Sequence, residues 1–221
     1  MFVSIIIPIK DELAIQELID EIDDVIKQNH EIIIIDKSEV LPKVEGAKVF
    51  AQKSSGLGNA FVEGLAHANG DLIALMDGDG SHRPEDLAKI LDEMGSYDIA
   101  IGSKLIMGGG SNDTIGRRMV TLAFAWLTRF ILWISVKDPM TGFMVVKREV
   151  FNRITLKPRG FKIVIETIYK SRAKVKEVPI FFRERKAGTS KAGFNMRGIK
   201  EMLRIIRLLL ELKLGRIRGK W

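Results

Sequence analysis

Cysteine is absent from the 221 residues, which excludes disulfides and thiolate metal sites and fits a reducing compartment. Histidine is scarce and scattered, at His30, His67 and His82, which argues against a zinc cluster. No stretch reaches the roughly 18 to 20 uncharged apolar residues that a spanning helix needs. The nearest, Met119 to Val136, is interrupted by Arg129. The opening apolar run, Phe2 to Ile9, is only a strand's length and is followed at once by Lys10, Asp11 and Glu12, so it lacks a signal peptide's charge order and cleavage site. A cytosolic location is expected. Repeats and low-complexity linkers are also missing. A chain of 221 residues therefore predicts one sizeable domain with at most a small extension.

Charge is present but unevenly placed. From Arg183 onward twelve Lys and Arg face three acids, a net of +9 out of the whole chain's +7, which leaves about −2 for residues 1–182. The basic character belongs to the C-terminus and predicts an anionic partner there: nucleic acid, a membrane surface or a phosphorylated substrate. The basic segment lacks the aromatic interleaving that stacks bases, and no helix-turn-helix is visible, so nucleic acid is not expected as a partner.

Strand-like runs at Phe2 to Ile9, Glu31 to Asp36, Lys48 to Gln52, Asp71 to Met76 and Ile99 to Gly102 alternate with helix-like stretches at Asp11 to Lys27, Gly58 to Ala68, Pro84 to Met94 and Thr114 to Ile134. Further strands are expected at Gly142 to Lys147 and Val175 to Phe182, with helices around Ile163 to Arg172 and Arg197 to Leu214. Near-continuous Ile, Val and Leu in the strands implies burial on both faces. The alternation predicts an α/β fold with a mainly parallel, Rossmann-like sheet flanked by helices.

Asp77 and Asp79, one glycine apart at the end of the run Asp71 to Met76, are the sharpest chemical signal. Side chains two apart on a strand share a face, and two close carboxylates call for a metal, a proton or a nearby base. Mg²⁺ and similar hard cations take one or two carboxylates plus substrate phosphates. Four strand-end loops, Pro8 to Glu12, Asp36 to Ser38, Lys53 to Asn59 and Asp77 to His82, should converge on one edge of a parallel sheet. Such an edge can offer partners to a base and ribose, close backbone approach to phosphates, and a metal for a diphosphate.

These strings resemble the family 2 glycosyltransferases of the GT-A fold, and more closely the dolichyl-phosphate mannose synthases, from Phe2 to about Leu210. Ile7-Pro-Ile-Lys-Asp-Glu12 resembles the opening Pro-x-x-Asn-Glu, and Asp36 the base-binding acid after the second strand. Met76-Asp-Gly-Asp-Gly-Ser-His-Arg-Pro-Glu85 resembles Met-Asp-Ala-Asp-x-x-His-x-Pro-Glu. Gly102-Ser-Lys104 with Gly108-Gly-Gly110, the pair Arg117 and Arg118, Asp138-Pro-Met-Thr-Gly-Phe143, and Phe182 to Lys191 are similar to later motifs. Asp11 stands for the usual Asn, Lys37 for a second Asp, and Lys104 for an Arg, which keeps charge but loses bidentate phosphate geometry.

The resemblance implies a hexosyl transfer, most simply of mannose from GDP-mannose, to a polyisoprenyl (dolichyl) phosphate. It implies nucleotide-sugar binding by Pro8, Glu12, Asp36, Lys53, Gly58, Asp77, Gly78 and Asp79. Mg²⁺ or Mn²⁺ is expected on Asp77 and Asp79, with Ser81 as a third-ligand candidate where some synthases carry Gln. Lys191 is expected to close over the diphosphate, and Lys104, Arg117 and Arg118 to hold the acceptor phosphate. A phosphate monoester is mostly dianionic at neutral pH, so no general base is required, and direct attack inverts the anomeric carbon.

A lipid acceptor requires the bilayer. Residues 117–136 predict an interfacial helix, and residues 197–221 a basic amphipathic one, following a catalytic domain at 1–196. Together they predict a protein peripheral on the cytoplasmic face of the membrane. Members with C-terminal transmembrane helices carry a section not found here, which leaves room for a small membrane-anchoring subunit. The rival readings are a UDP-glucose-dependent dolichyl-phosphate glucosyltransferase and a non-catalytic basic peripheral-membrane protein.

Overall fold

The computed structural model describes residues 1–157, 162–183 and 196–217, with the side chains of 196–202 outside the description. Period-two alternation builds its centre. In strand β1 (Val3–Ile9) and strand β2 (His30–Asp36), Ile5, Ile7, Ile32 and Ile34 face one apolar layer, while Ile6, Ile33 and Ile35 face the other. The first layer is covered by helix α1 (Ile15–Val25), through Leu18, Ile19 and Ile22, and by helix α3 (Pro84–Asp92), through Leu87, Ile90 and Leu91. The second is covered by helix α2 (Leu57–His67), through Ala60 and Phe61, and by helix α6 (Ile163–Ser171), through Val164 and Ile168.

The remaining strands are β3 (Ala47–Ala51), β4 (Leu72–Leu75), β5 (Ile99–Ser103), β6 (Gly110–Ser111), β7 (Met144–Lys147), β8 (Val175–Pro179) and β9 (Phe181–Phe182). Seven form one sheet in the order β3-β2-β1-β4-β7-β5-β8, and β6 pairs with β9 in a small second sheet. All pairings are parallel except those of β7, which runs antiparallel to both β4 and β5. β4 and β5 therefore point the same way, and the chain enters β7 at the edge where they end.

Three expectations are corrected. The first helix starts at Ile15 rather than Asp11, because Asp11 is left-handed (φ +53°) and its N–H donates to Ser38 Oγ at 2.7 Å, a conformation no helix accommodates. The expected strand Val175 to Phe182 breaks at Ile180, whose buried side chain turns in against Gly102 while its N–H donates to Ser103 O at 3.1 Å. A short helix, α5 (Arg148–Phe151), follows β7 where none was expected.

Helix α4 (Ile115–Leu132) ends at Trp133, which is left-handed (φ 54°). It packs on helix α7 (Met196–Ile217) and on α6, with Leu132, Ile165, Tyr169, Ile205, Leu208, Leu209 and Leu212 buried together. No described helix is long and apolar enough to cross a membrane.

At the opposite edge from the strand-end loops, buried Ser4 interrupts the apolar pattern. Its Oγ donates to Glu31 Oε1 (2.7 Å) and accepts from the N–H of Gly70 (2.7 Å). Glu31 also accepts from Lys48 Nζ at 2.8 Å and from the N–H of Asn69 at 2.7 Å. Burial pushes the Glu31 carboxyl up, but the hydrogen bonds from Lys48, Ser4 and Asn69 outweigh it and hold the group at about 2, below its ordinary 4.5. A depressed carboxylate stabilises the fold above its unfolded pKa, so this contribution is full above pH 4.5 and is lost as pH falls toward 2. Thermal unfolding between those limits should show Glu31→Gln destabilised by about 1–3 kcal/mol at neutral pH, with the difference from the parent shrinking on acidification.

Candidate active site

Register fixes the site's floor. Ile9 pairs with Asp36 and Ile6 with Leu75, so the ends of β1, β2 and β4 lie on one edge, with the end of β5 parallel to them. Hydrogen bonds then stitch the loops together. Lys37 N–H donates to Ile9 O (3.1 Å), Gln52 N–H to Asp36 O (2.7 Å), and Gln52 Nε2 to Gly56 O (2.9 Å).

Asp36 is buried. Its Oδ1 accepts from the N–H (2.9 Å) and Oγ (2.6 Å) of Ser38, while its buried Oδ2 has no partner among the described residues. An orphaned buried carboxylate oxygen is costly unless a ligand donor completes it. Ser38 bounds one of the candidate strand-end loops but has no role assigned from sequence, although a Ser two residues after an Asp at a strand end is a common turn signal. Pro8, half-buried, is on the same edge, its Cα paired with that of Ile35, and Glu12 follows on the Asp11 turn. Lys53 is exposed, but its N–H and that of Ser54 are clamped by Glu63 of α2 (2.9 and 2.8 Å), and Gly58 is buried in that helix's first turn.

Asp77 and Asp79 are each held by a different neighbour. Ser81 donates from Oγ (2.5 Å) and from N–H (3.1 Å) to Asp79 Oδ1, so this buried hydroxyl orients the carboxylate. The Asp77 N–H donates to His82 Nδ1 at 3.0 Å, which makes Nδ1 an acceptor and the imidazole neutral. Burial, only partly opposed by the charges of Asp77 and Asp79, pushes the His82 pKa down, in keeping with that tautomer. The ring is stacked on Phe143 (4.4 Å) and edge-on to Phe182 (5.5 Å), so it ties the carboxylate loop to two later motifs. Read from sequence, His82 is a loop-to-helix residue or a substrate contact; nothing local reveals those distant rings.

Gly78 presses against β1: a Cβ there would lie 2.5 Å from Ile9 Cγ2 and 3.0 Å from Ile7 Cγ2, so only glycine lets the carboxylate loop sit so close. Gly142 keeps the space before Asp77 open, since a Cβ there would lie 3.5 and 3.6 Å from the two carboxylate oxygens. Two half-buried carboxylates with open space beside one of them suit a hard cation whose other ligands are phosphate and water. No cluster of three or more His, Cys, Asp or Glu fit to hold a metal is found among the described residues. Among the described residues, a cation placed there would draw on this pair and on substrate oxygens.

Beyond β5, Lys104 Nζ donates to Asp113 Oδ2 at 2.6 Å and lies 4.6 Å above the Phe182 ring. Arg117 reaches the same carboxylate at 3.3 Å. Burial raises the Asp113 pKa, but Lys104 and then Arg117 pull it below its ordinary value, so Asp113 stays ionised. Asp113 escaped the sequence reading, although its spacing of four from Arg117 on a helix start could have revealed it. Arg118 is exposed and is not drawn into this cluster. Lys104 N–H donates to buried Asp138 Oδ2 (3.1 Å), whose Oδ1 has no partner and whose pKa burial pushes up.

Lys191 lies outside the described residues. The described chain leading to it is anchored at the site, because the Arg183 N–H donates to Ser81 O at 3.0 Å.

The family described as Glycosyl transferase family 2 matches residues 4–155, more than half of the sequence. The chain belongs to that family. This family 2 chain is 34% identical over 208 residues to a dolichol-phosphate mannosyltransferase of Pyrococcus furiosus, covering 86% of this chain and 59% of that protein. It is 33% identical to a polyprenol monophosphomannose synthase of Mycolicibacterium smegmatis, covering 75% of this chain and 66% of the relative. The chain thus spans about six-tenths of the length of these curated relatives. Its fold superposes on crystal structures of glucosyl-3-phosphoglycerate synthase from Mycobacterium tuberculosis, one of them holding Mn²⁺, UDP-glucose and phosphoglyceric acid. There the TM-score is 0.70 at 17% identity, over 96% of this chain and 79% of that one. The architecture is GT-A-like: a mostly parallel sheet flanked by helices.

Removing the Ser81 hydroxyl should loosen Asp79, leaving it the Ser81 N–H, without disturbing the core. Titrations of nucleoside diphosphate binding against Mn²⁺ should show Ser81→Ala needing about 3- to 10-fold more metal, the loss expected for one charge-assisted hydrogen bond.

Proposed function

We propose that this family 2 chain transfers mannose from GDP-mannose to a polyisoprenyl phosphate, with inversion, at a membrane surface. The observation that carries the reading is one sheet edge bearing both halves of the chemistry. Buried Asp36, with an orphaned oxygen, and the Asp77–Asp79 pair serve a nucleotide diphosphate; the Lys104–Asp113–Arg117 cluster serves a second phosphate. The relatives named for mannosyl transfer to dolichol phosphate and polyprenol support the substrate class.

Asp36 accepts a donor from the nucleobase on Oδ2, with Ser38 fixing the carboxylate's plane. Pro8, Glu12, Lys53, Gly58 and Gly78 shape the remainder of the donor pocket. Asp77 and Asp79 would hold Mg²⁺ or Mn²⁺, with Ser81 orienting Asp79, and the cation when bound would supply Lewis acidity at the diphosphate. Lys191 adds a second positive charge there. Lys104 and Arg117, steadied by Asp113, and the exposed Arg118 receive the acceptor phosphate, which is already an anionic nucleophile and needs no base.

The membrane enters through α4. Its Ile115, Met119, Leu122, Trp126 and Phe130, together with Trp133 at its end, are exposed at spacings of three and four residues, a continuous apolar stripe along one face. The cytoplasmic leaflet fits the basic C-terminal helix, and a small anchoring subunit would add to this contact.

Incubation with Mg²⁺ or Mn²⁺, labelled GDP-mannose or UDP-glucose, and short polyprenyl phosphates, followed by lipid extraction, tests the proposal. Labelled mannolipid of inverted configuration is expected. Glucolipid alone would reassign the donor, retention would overturn the direct attack, and no labelled lipid from any donor would sink the activity. Asp79→Asn should lower kcat by about 10²–10³-fold. Lys104→Ala should instead raise KM for the polyprenyl phosphate about tenfold or more, with the donor KM little changed.

A further inference from the structure

At the far end of the α4 stripe, Leu132, Trp133, Tyr169, Lys213, Arg216 and Ile217 line a cavity of about 370 Å³ that takes no part in the site above. The size is that of a small-ligand pocket. Its two cations sit on aromatic faces rather than on acids. Lys213 Nζ lies 5.1 Å from the Trp133 ring centroid, and the Arg216 guanidinium 5.1 Å from that of Tyr169. Among the described residues neither cation is bonded to a carboxylate, and the acid on the turn before Lys213, Glu211, is joined to Arg207 at 3.0 Å. Two acid-free cations at one cavity form a complement to an anion with several acceptor oxygens.

The mouth of the cavity indicates where that anion comes from. Trp133 is 83% exposed and ends the apolar stripe of α4, while Ile217, 71% exposed, ends α7 on the other side. A bilayer taken up by the stripe would set its headgroup layer at this mouth, where amphipathic Trp, Lys and Arg side chains reach naturally. We propose that this cavity binds the phosphate of an anionic phospholipid headgroup, between the Lys213 ammonium and the Arg216 guanidinium, with Trp133 and Ile217 against the first acyl carbons. The site rests on the reading of α4 as a membrane face, and it adds to that reading a lipid-selective contact distinct from the acceptor-phosphate cluster at Lys104.

Flotation of the full chain with vesicles of phosphatidylcholine alone, or with phosphatidylglycerol as about a third of the lipid, tests it. Lys213→Gln/Arg216→Gln should lose about tenfold of its partitioning to the phosphatidylglycerol vesicles and none to phosphatidylcholine. A charge-matched control, Lys174→Gln/Lys176→Gln, should lose less than about threefold, as a change in overall charge alone predicts. Lys213→Gln alone should weaken the anionic preference about threefold, and Lys213→Arg should retain it. These two variants carry the test should the double variant unfold. Equal losses in the double variant and the control, or no effect of Lys213→Gln, would overturn the site. Inorganic phosphate abolishing the vesicle preference at millimolar level would assign the cavity to a free anion instead. Trp126→Ser/Phe130→Ser should lower binding to both vesicle types; if it lowers neither, the membrane face fails, a result separable from failure of the pocket.

Discussion

Everything at the candidate site depends on β1 being held in parallel register between β2 and β4. Ile5, Ile6 and Ile7 are fully buried, alternating between two apolar layers, so a slip of one residue would exchange the layers and expose the strand's contacts. That register is what sets Asp36 beside Ile9 and brings the Asp77 loop to the same edge. Gly78 completes the constraint by letting that loop rest on Ile7 and Ile9.

On this floor the site is organised by pairing each functional group with a fixed partner. Ser38 holds Asp36, Ser81 holds Asp79, His82 holds the Asp77 backbone, and Asp113 holds Lys104 and Arg117. Such supports set orientation before substrate arrives, which is how a site of few groups acts with accuracy. The neutral His82 is the most connected of them, because its ring stacks on Phe143 and meets Phe182, bringing three separate motifs to one place.

Away from the site, α4 and α7 resolve two demands on amphipathic helices. Their shared buried face, with Leu132, Leu208, Leu209 and Leu212, binds them to α6, while α4 leaves Trp126, Phe130 and Trp133 outward. Lys213 and Arg216 stand where the outward apolar side ends. The outward surface thus joins an apolar stripe to a basic margin, and the strand-end edge with its own cations is a separate feature of the same molecule.

Much of this was legible along the chain. Strand and helix positions follow from two-residue and helical periodicity, the Asp77–Asp79 pair from its strand-end placement, and the family from contiguous strings such as Met76 to Glu85, because each of these signals is local. The tertiary structure alone decided the antiparallel course of β7, since a strand buried on both faces reads the same in either direction. It alone decided that Asp11 leaves the helix to meet Ser38, that His82 lies between Phe143 and Phe182, and that Lys213 and Arg216 close a cavity over Trp133 and Tyr169. Those partners are tens of residues apart in sequence, and only packing brings them within reach of one another.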